Sequence, residues 1–396
     1  MSFDFNEIII RKDTNSIKYD FAIERGKPSD LLPLWVADMD FRTVPEVTEA
    51  LIKASNHAIF GYTEVKEDYF NVLKQWFFRH YHWNIEKEWL VMTPGVVYAI
   101  AMAVRAYTKK GEGVLIQRPV YYPFSEVILS NGRRLINSPL VYEKGTYRID
   151  FEDFEQKIVE NQVKLFILCN PHNPVGKVWS RDELECLGDI CLKHNVLVVS
   201  DEIHADFIYP GKVHLPFADL KKEYKEITVT CTAPSKTFNL AGLQVSNIFI
   251  SNPDLKSAFR NEIKKSGYSQ LNTMGLIACK TAYEYGEEWL YSLKEYLYNN
   301  LQFAKEFITN NLPKLTIVEP EGTYLLWVDF SRLGLSETEL ETLIVEKAKL
   351  WLDAGTMFGP EGSSFERFNI ACTRKTLEQA LQQLKMAVDS LAYFNK

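Results

Sequence analysis

Apolar residues along this chain follow two spacings in turn. From Pro45, the positions Val47, Ala50, Leu51 and Ala54 keep helical spacing, and proline suits a first helical position, so a helix is predicted there. A turn at Phe60-Gly61-Tyr62-Thr63 leads to a second amphipathic helix over about 69–81. From Trp89 short apolar runs take over: 90–92, 114–117, 133–140, 164–169, 196–200, 227–231 and 247–250 read as strands. Between them, 96–108 reads as a helix that is apolar on most faces, closed by Lys109-Lys110-Gly111. Residues 181–194 read as an amphipathic helix, with Ser180 as N-cap and Glu183 completing a capping box. Strands alternating with helices imply parallel pairing with helices on both faces. The predicted class is α/β, a mostly parallel doubly wound sheet, in which ligands bind at the carboxyl ends of the strands.

The last third breaks the alternation. A long helix over 287–311, strands at 315–318 and 323–328, a helix at 337–349, a strand at 367–371 and a final helix at 375–391 read as a smaller α+β domain. Residues 1–32 are polar with single aromatics and read as an arm. The expected division is a large domain over 45–285, with 1–44 and 286–396 forming the N-terminal arm and small domain.

Composition narrows the function. At 396 residues, two domains are the default. A net charge of −7 argues against a nucleic-acid partner. The longest strongly apolar run, Val96 to Val104, is about half of a bilayer span, and Met1 to Thr14 has no signal-peptide core, so no membrane partner is expected. Six cysteines without CxxC spacing read as buried free thiols in a reducing compartment, which predicts a cytoplasmic location.

The candidate chemistry gathers after the strands. In Ala233-Pro234-Ser235-Lys236-Thr237 one lysine sits in a small apolar turn. A desolvated lysine loses its proton readily, and the neutral amine condenses with an aldehyde. Ser235 offers a hydroxyl and a backbone N–H to a phosphate, and the aldehyde that carries a phosphate is pyridoxal 5′-phosphate. Asp201, at the end of a buried strand, needs a cation there, and a protonated pyridine nitrogen is one; Glu202 competes for that role. His204 is within reach of the cofactor's phenolic oxygen. Asn173, in the turn Asn170-Pro171-His172-Asn173-Pro174-Val175-Gly176, has an amide to donate to the same oxygen. Backbone N–H groups at Gly95, Val96 and Val97 open a helix and suit an anion. Tyr121, in Pro119-Val120-Tyr121-Tyr122-Pro123, is the candidate to lie flat on the ring. Arg367 offers a fork for a carboxylate, while Arg374, opening the last helix, is expected to face solvent. No metal is expected, because a zinc set from Asp201, Glu202 and His204 lacks a second histidine at ligand spacing.

With these motifs in view, the sequence resembles fold-type-I pyridoxal-phosphate enzymes of the aminotransferase superfamily, over essentially the whole chain. It looks most like their C–S β-lyase branch, the aminotransferase-like cystathionine β-lyases. The marks are Leu32-Pro33-Leu34-Trp35-Val36-Ala37-Asp38-Met39-Asp40-Phe41, Phe60-Gly61-Tyr62-Thr63, the 170–176 turn, Ser200-Asp201-Glu202-Ile203-His204-Ala205-Asp206 and Ser235-Lys236-Thr237-Phe238-Asn239. The resemblance implies that Lys236 holds the cofactor and is the Cα base, with Tyr121 and Asp201 beside it as catalytic groups. It puts Gly95, Val96, Val97 and Ser235 on the phosphate, and Asn173 and His204 at the ring. Arg367, Asn173, Trp35 and Ala37 are implied on the substrate side. Tyr62 would reach the partner subunit's phosphate, so a homodimer with shared active sites is expected. One departure stands out: many aminotransferases carry an arginine eight positions after the lysine, and here that position is Gln244. The implied activity is β-elimination from an amino-acid thioether; the alternatives are an aminotransferase and, behind it, a pyridoxal-phosphate-binding regulator.

Overall fold

A computed structural model describes residues 3–394. Its centre is a seven-stranded sheet in the order Leu90–Thr93, Ser246–Phe249, Thr228–Thr232, Leu197–Asp201, Leu165–Cys169, Gly113–Ile116, Arg134–Asn137. Five strands run parallel to their neighbours from Thr228–Thr232 outward to Arg134–Asn137. Ser246–Phe249 runs antiparallel to both of its neighbours. The sheet is thus mostly parallel, as expected, with one antiparallel strand: between Thr228–Thr232 and Ser246–Phe249 lie only the single turn Pro234–Thr237 and the 3-10 turn Ala241–Leu243, not the full crossover helix that a parallel return usually takes.

Burial follows the two-residue period of each strand. In Leu165–Cys169, Leu165, Ile167 and Cys169 face a cluster with Val96, Ile100 and Val104 of the helix Val96–Tyr107. Phe166 and Leu168 face the opposite cluster, with Phe154 and Ile158 of Phe151–Asn161 and Leu184 and Leu187 of Arg181–Lys193. Each such side chain, fully buried, stabilises the fold by about 1.5–3 kcal/mol. The capping box at Ser180 is present on both sides: its N–H donates to Glu183 Oε2 at 2.8 Å, and the Glu183 N–H donates to Ser180 Oγ at 3.3 Å.

Thr316–Ile317, Leu325–Asp329, Phe365–Asn369 and Asp353–Ala354 form a second, wholly antiparallel sheet, flanked by the helices Glu287–Asn311 and Arg374–Phe394. The N-terminal segment forms a separate two-stranded parallel ladder with the chain just before Asp353–Ala354, Leu32 to Leu350 and Pro33 to Trp351. The helix expected over 337–349 stops at Thr342 and widens into a π-helical turn, Leu343–Lys347. Arg374 does not face solvent: its Nε donates to Asn300 Oδ1 at 2.9 Å and its guanidinium lies 4.5 Å from the Phe303 ring centroid. Five cysteines are buried and Cys186 is half-buried, and all six are free thiols. Among the described residues no helix is long and apolar enough to cross a membrane.

Candidate active site

The carboxyl ends of three central strands meet one cleft. Leu165–Cys169 delivers the 170–176 turn, Leu197–Asp201 delivers Asp201 and His204, and Thr228–Thr232 leads into the single helical turn Pro234–Thr237 that carries Lys236. The cleft is lined by Ala37, Gly95, Val96, Val97, Tyr121, Asn173, Asp201, His204, Ser235 and Lys236. Arg367 and Trp35, expected on the substrate side, are not among its lining residues, and Tyr62, expected at the partner subunit's phosphate, lies apart from it. Arg367 lies against Asn173. Trp35 sends its ring away: the indole stacks on Trp351 at 4.4 Å between centroids, and its Nε1 donates to the Lys18 carbonyl at 3.2 Å. Tyr62 is 98% exposed, in the irregular segment between two helices, and lines a different cavity.

Lys236 Nζ donates to the Ala37 carbonyl at 2.7 Å. Burial lowers its pKa to about 8; Arg367 adds to the fall, while Asp38 and Asp201 oppose it. Asp201 accepts one hydrogen bond, from the Ile203 N–H at 3.1 Å, and no cation lies within 4.0 Å of it among the described residues. Burial raises it to about 7, and the nearby Glu202 adds to that rise. Glu202 is spoken for: its carboxylate accepts from Ser200 Oγ at 2.8 Å and the Phe217 N–H at 3.0 Å, and pairs with His214 Nε2 at 3.0 Å. His204 is buried, and burial holds its imidazole neutral, with Nδ1 lacking any partner.

The helix Val96–Tyr107 opens on Gly95 without a side-chain cap, and nothing lies within 4 Å of the point a Cβ on Gly95 would take. Its first N–H groups are therefore open to an anion. Asn173 is held in place by its own N–H, 3.4 Å from Cys169 Sγ, and by Arg367, whose Nη1 donates to Asn173 Oδ1 at 2.9 Å. Arg367 Nη2 donates to the Trp35 carbonyl at 2.9 Å and to Asp353, in a buried ion pair. Its Nε is buried without a partner.

Sequence reasoning missed Asp353. It sits in a two-residue strand, paired in register with Arg367, and nothing in its neighbourhood along the chain points to that partner. It also missed Ile203, Ala241 and Val245 as lining residues. Gln244, noted as a departure, lines the cleft with its backbone at φ 50°.

These residues fit pyridoxal 5′-phosphate on three counts. A buried carboxylate without a cation suits a pyridinium, an uncapped helix start with open space at Gly95 suits a phosphate, and an amine lowered toward neutrality suits an aldehyde.

Known proteins agree with this architecture. The family model "Aminotransferase class I and II" matches residues 29–384. Cystathionine beta-lyase PatB of Bacillus subtilis is 43% identical over 388 residues, 98% of this chain and 100% of that protein. A PLP-bound protein of Clostridium difficile 630, provisionally named an aminotransferase, has a TM-score of 0.95 at 45% identity, covering 98% of this chain and all of that one. A C-S lyase of Staphylococcus hominis complexed with L-cycloserine has a TM-score of 0.91 at 33% identity, covering 98% and 99%. Matched from residue 29 to residue 384 and aligned nearly end to end with its relatives, the chain belongs to the aminotransferase class I and II family.

Proposed function

We propose that this protein is a pyridoxal-phosphate-dependent C–S β-lyase that splits an amino-acid thioether, cystathionine or a related cysteine S-conjugate, into a thiol, pyruvate and ammonia. The observation that carries the reading is Lys236, brought to about 8 by burial, sharing one cleft with Asp201, raised to about 7 by burial. Elimination is favoured over transamination by the 43% identity to a cystathionine beta-lyase along the full chain.

The cofactor is pyridoxal 5′-phosphate; when bound, it supplies an aldehyde for an amine and a ring that takes up the electron pair of a Cα–H bond. Lys236 would hold it through Nζ, and the same amine, its pKa lowered to about 8, would take the Cα proton. Asp201 would keep the ring nitrogen protonated, Asn173 and His204 would serve the phenolic oxygen, and Tyr121 would stack on the ring. Ser235 with the N–H groups of Gly95, Val96 and Val97 would hold the phosphate, with Tyr62 of a second copy completing the site, so the working unit is a homodimer. Arg367 takes the substrate carboxylate, and the Trp35–Ala37 segment closes that side through its backbone. The thiolate leaves from Cβ, and the released aminoacrylate hydrolyses to pyruvate and ammonia.

Aminotransfer is the second reading, favoured by the likeness to the Clostridium difficile protein. Purified protein with L-cystathionine and no oxo acid separates the two. Equimolar pyruvate and thiol support the lyase. No pyruvate, with amino transfer once 2-oxoglutarate is added, overturns it in favour of the aminotransferase.

A further inference from the structure

Lys236 rides on a helical turn of only four residues, Pro234–Thr237. A helix that short has almost no stability of its own. One backbone hydrogen bond closes it, from the Phe238 N–H to the Pro234 carbonyl at 2.9 Å. The chain just past it is moored to the N-terminal segment, where Thr43 Oγ1 donates to the Phe238 carbonyl at 2.7 Å. Within the turn, Thr237 is the one side chain besides Lys236 with a hydrogen bond among the described residues. Its hydroxyl is buried and donates to Asp206 Oδ2 at 2.5 Å.

Asp206 is itself buried and firmly set. Trp76 Nε1 donates to its Oδ1 at 3.3 Å, and the Tyr81 hydroxyl donates to the same oxygen. Both donors belong to the helix Glu67–Tyr81, and the Trp76 ring also packs edge-on against Phe238 at 5.4 Å between centroids. Burial and the facing carboxylate push the Tyr81 pKa up, so its hydroxyl stays a donor. His80 and Lys294 feel the carboxylate's charge through space. Hydrogen bonds to a carboxylate are about twice as strong as neutral ones, which makes Asp206 a firm post for the Thr237 hydroxyl. That post stands on the same bend of chain as His204: the Ala205 N–H donates to the Glu202 carbonyl and the Phe207 N–H to the His204 carbonyl, each at 3.0 Å. The bend continues the strand that ends at Asp201.

We propose that Asp206 is a positioning residue for Lys236: through the Thr237 hydroxyl it fixes the lysine's turn relative to Asp201 and His204. It is not among the residues that line the cleft, and it acts through Thr237 alone. The inference rests on the reading of Lys236 as the residue that holds the cofactor and takes the Cα proton. Proton transfer needs the amine within hydrogen-bond reach of its target. A displacement of about 1 Å costs on the order of 100-fold in rate. One side chain thus sets the spacing between the amine and the groups that serve the ring.

Thr237→Val keeps the volume and removes the hydroxyl. In the holoenzyme it is expected to lower kcat for L-cystathionine about tenfold, with KM changed by less than about twofold. It is also expected to move the pH midpoint of the cofactor's visible absorption by about half a unit or more, a reading that needs no substrate. Thr237→Ser, which keeps the hydroxyl, should restore both. A role in stability alone would lower the denaturation midpoint of T237V and leave kcat per bound cofactor and the absorption midpoint at wild-type values; that result overturns the proposal. So does a serine variant no better than the valine one. Thr237→Ala, smaller on every side, gives the same reading should the valine variant not fold. A wild type without the visible band overturns the cofactor reading and this inference together. Amino transfer in place of elimination overturns the lyase reading alone, and kcat is then read on that reaction.

Discussion

Arg367 Nη1 donates to Asn173 Oδ1 at 2.9 Å, and this one hydrogen bond joins the second sheet to the turn that follows a central strand of the first. Asn173 is thereby fixed with its oxygen turned toward arginine, so its amide Nδ2 is the end left for the cleft. Arg367 in turn depends on Asp353, with which it forms a buried ion pair. Arg367→Leu should leave that carboxylate buried and alone, at a cost of about 3–5 kcal/mol. Chemical denaturation reads this loss, while Arg367→Lys should keep most of the stability and still raise KM for amino-acid substrates, because the two-pronged contact is gone.

Lys236→Ala should lower turnover of L-cystathionine at least ~1,000-fold, since it removes both the covalent anchor and the base. Borohydride reduction followed by mass spectrometry should attach the cofactor to Lys236 in the wild type and to nothing in the variant. Elimination at the wild-type rate in K236A would refute the scheme.

The apo-protein should show a pH signature of Asp201. Its folded-state pKa, about 7, lies above the ordinary 3.8. A carboxyl raised by folding binds more protons in the native than in the unfolded state, so its contribution is complete below about pH 4 and is lost as pH rises to about 7. The span is on the order of 4 kcal/mol. Thermal melts of apo wild type against Asp201→Asn should differ in that window and run parallel above it. Loading the cofactor should reverse the trend in the wild type, because a pyridinium favours the carboxylate.

Tyr62 is nearly fully exposed in the single chain. Sedimentation should give twice the chain mass, and Tyr62→Phe should weaken phosphate retention while leaving the dimer intact. A monomeric species with full cofactor occupancy would contradict the shared-site reading.

Much of this was legible from residue order, for a physical reason. The strands announced themselves because both faces are buried, and the rule that ligands collect at carboxyl ends carried Asp201, Asn173 and Lys236 to one place. The capping box at Ser180 and Glu183 is local, and local signals survive folding. What stayed hidden was relational. A run buried on both faces marks Ser246–Phe249 as a strand but does not say which way its neighbours run. Asp353 meets Arg367 only through the register of two strands. Trp35 was expected on the substrate side, but Trp351, far along the chain, takes its ring, and its backbone carbonyl accepts from Arg367. The helices Phe151–Asn161 and Thr273–Tyr285 do carry local marks, the N-caps Asp150 and Asn272, which accept from the N–H groups of Asp153 and Gly275.

The contact between Lys236 and the Ala37 carbonyl has a mechanical side. Ala37 belongs to a segment strapped to the second sheet and the chain beside it, by the Leu32–Leu350 ladder before it and by Asn369, whose Nδ2 donates to the carbonyls of Val36 and Asp38, each at 2.6 Å, on either side of it. Lys236 rides on the first sheet. Their hydrogen bond is one tie among several, since Asn239 Nδ2 also donates to the carbonyls of Met39 and Phe41, at 3.0 and 2.9 Å, and Arg367 holds Asn173. Whatever claims the lysine's nitrogen releases that one tie while the others keep the segment moored, so the amine changes partner against a wall that stays put.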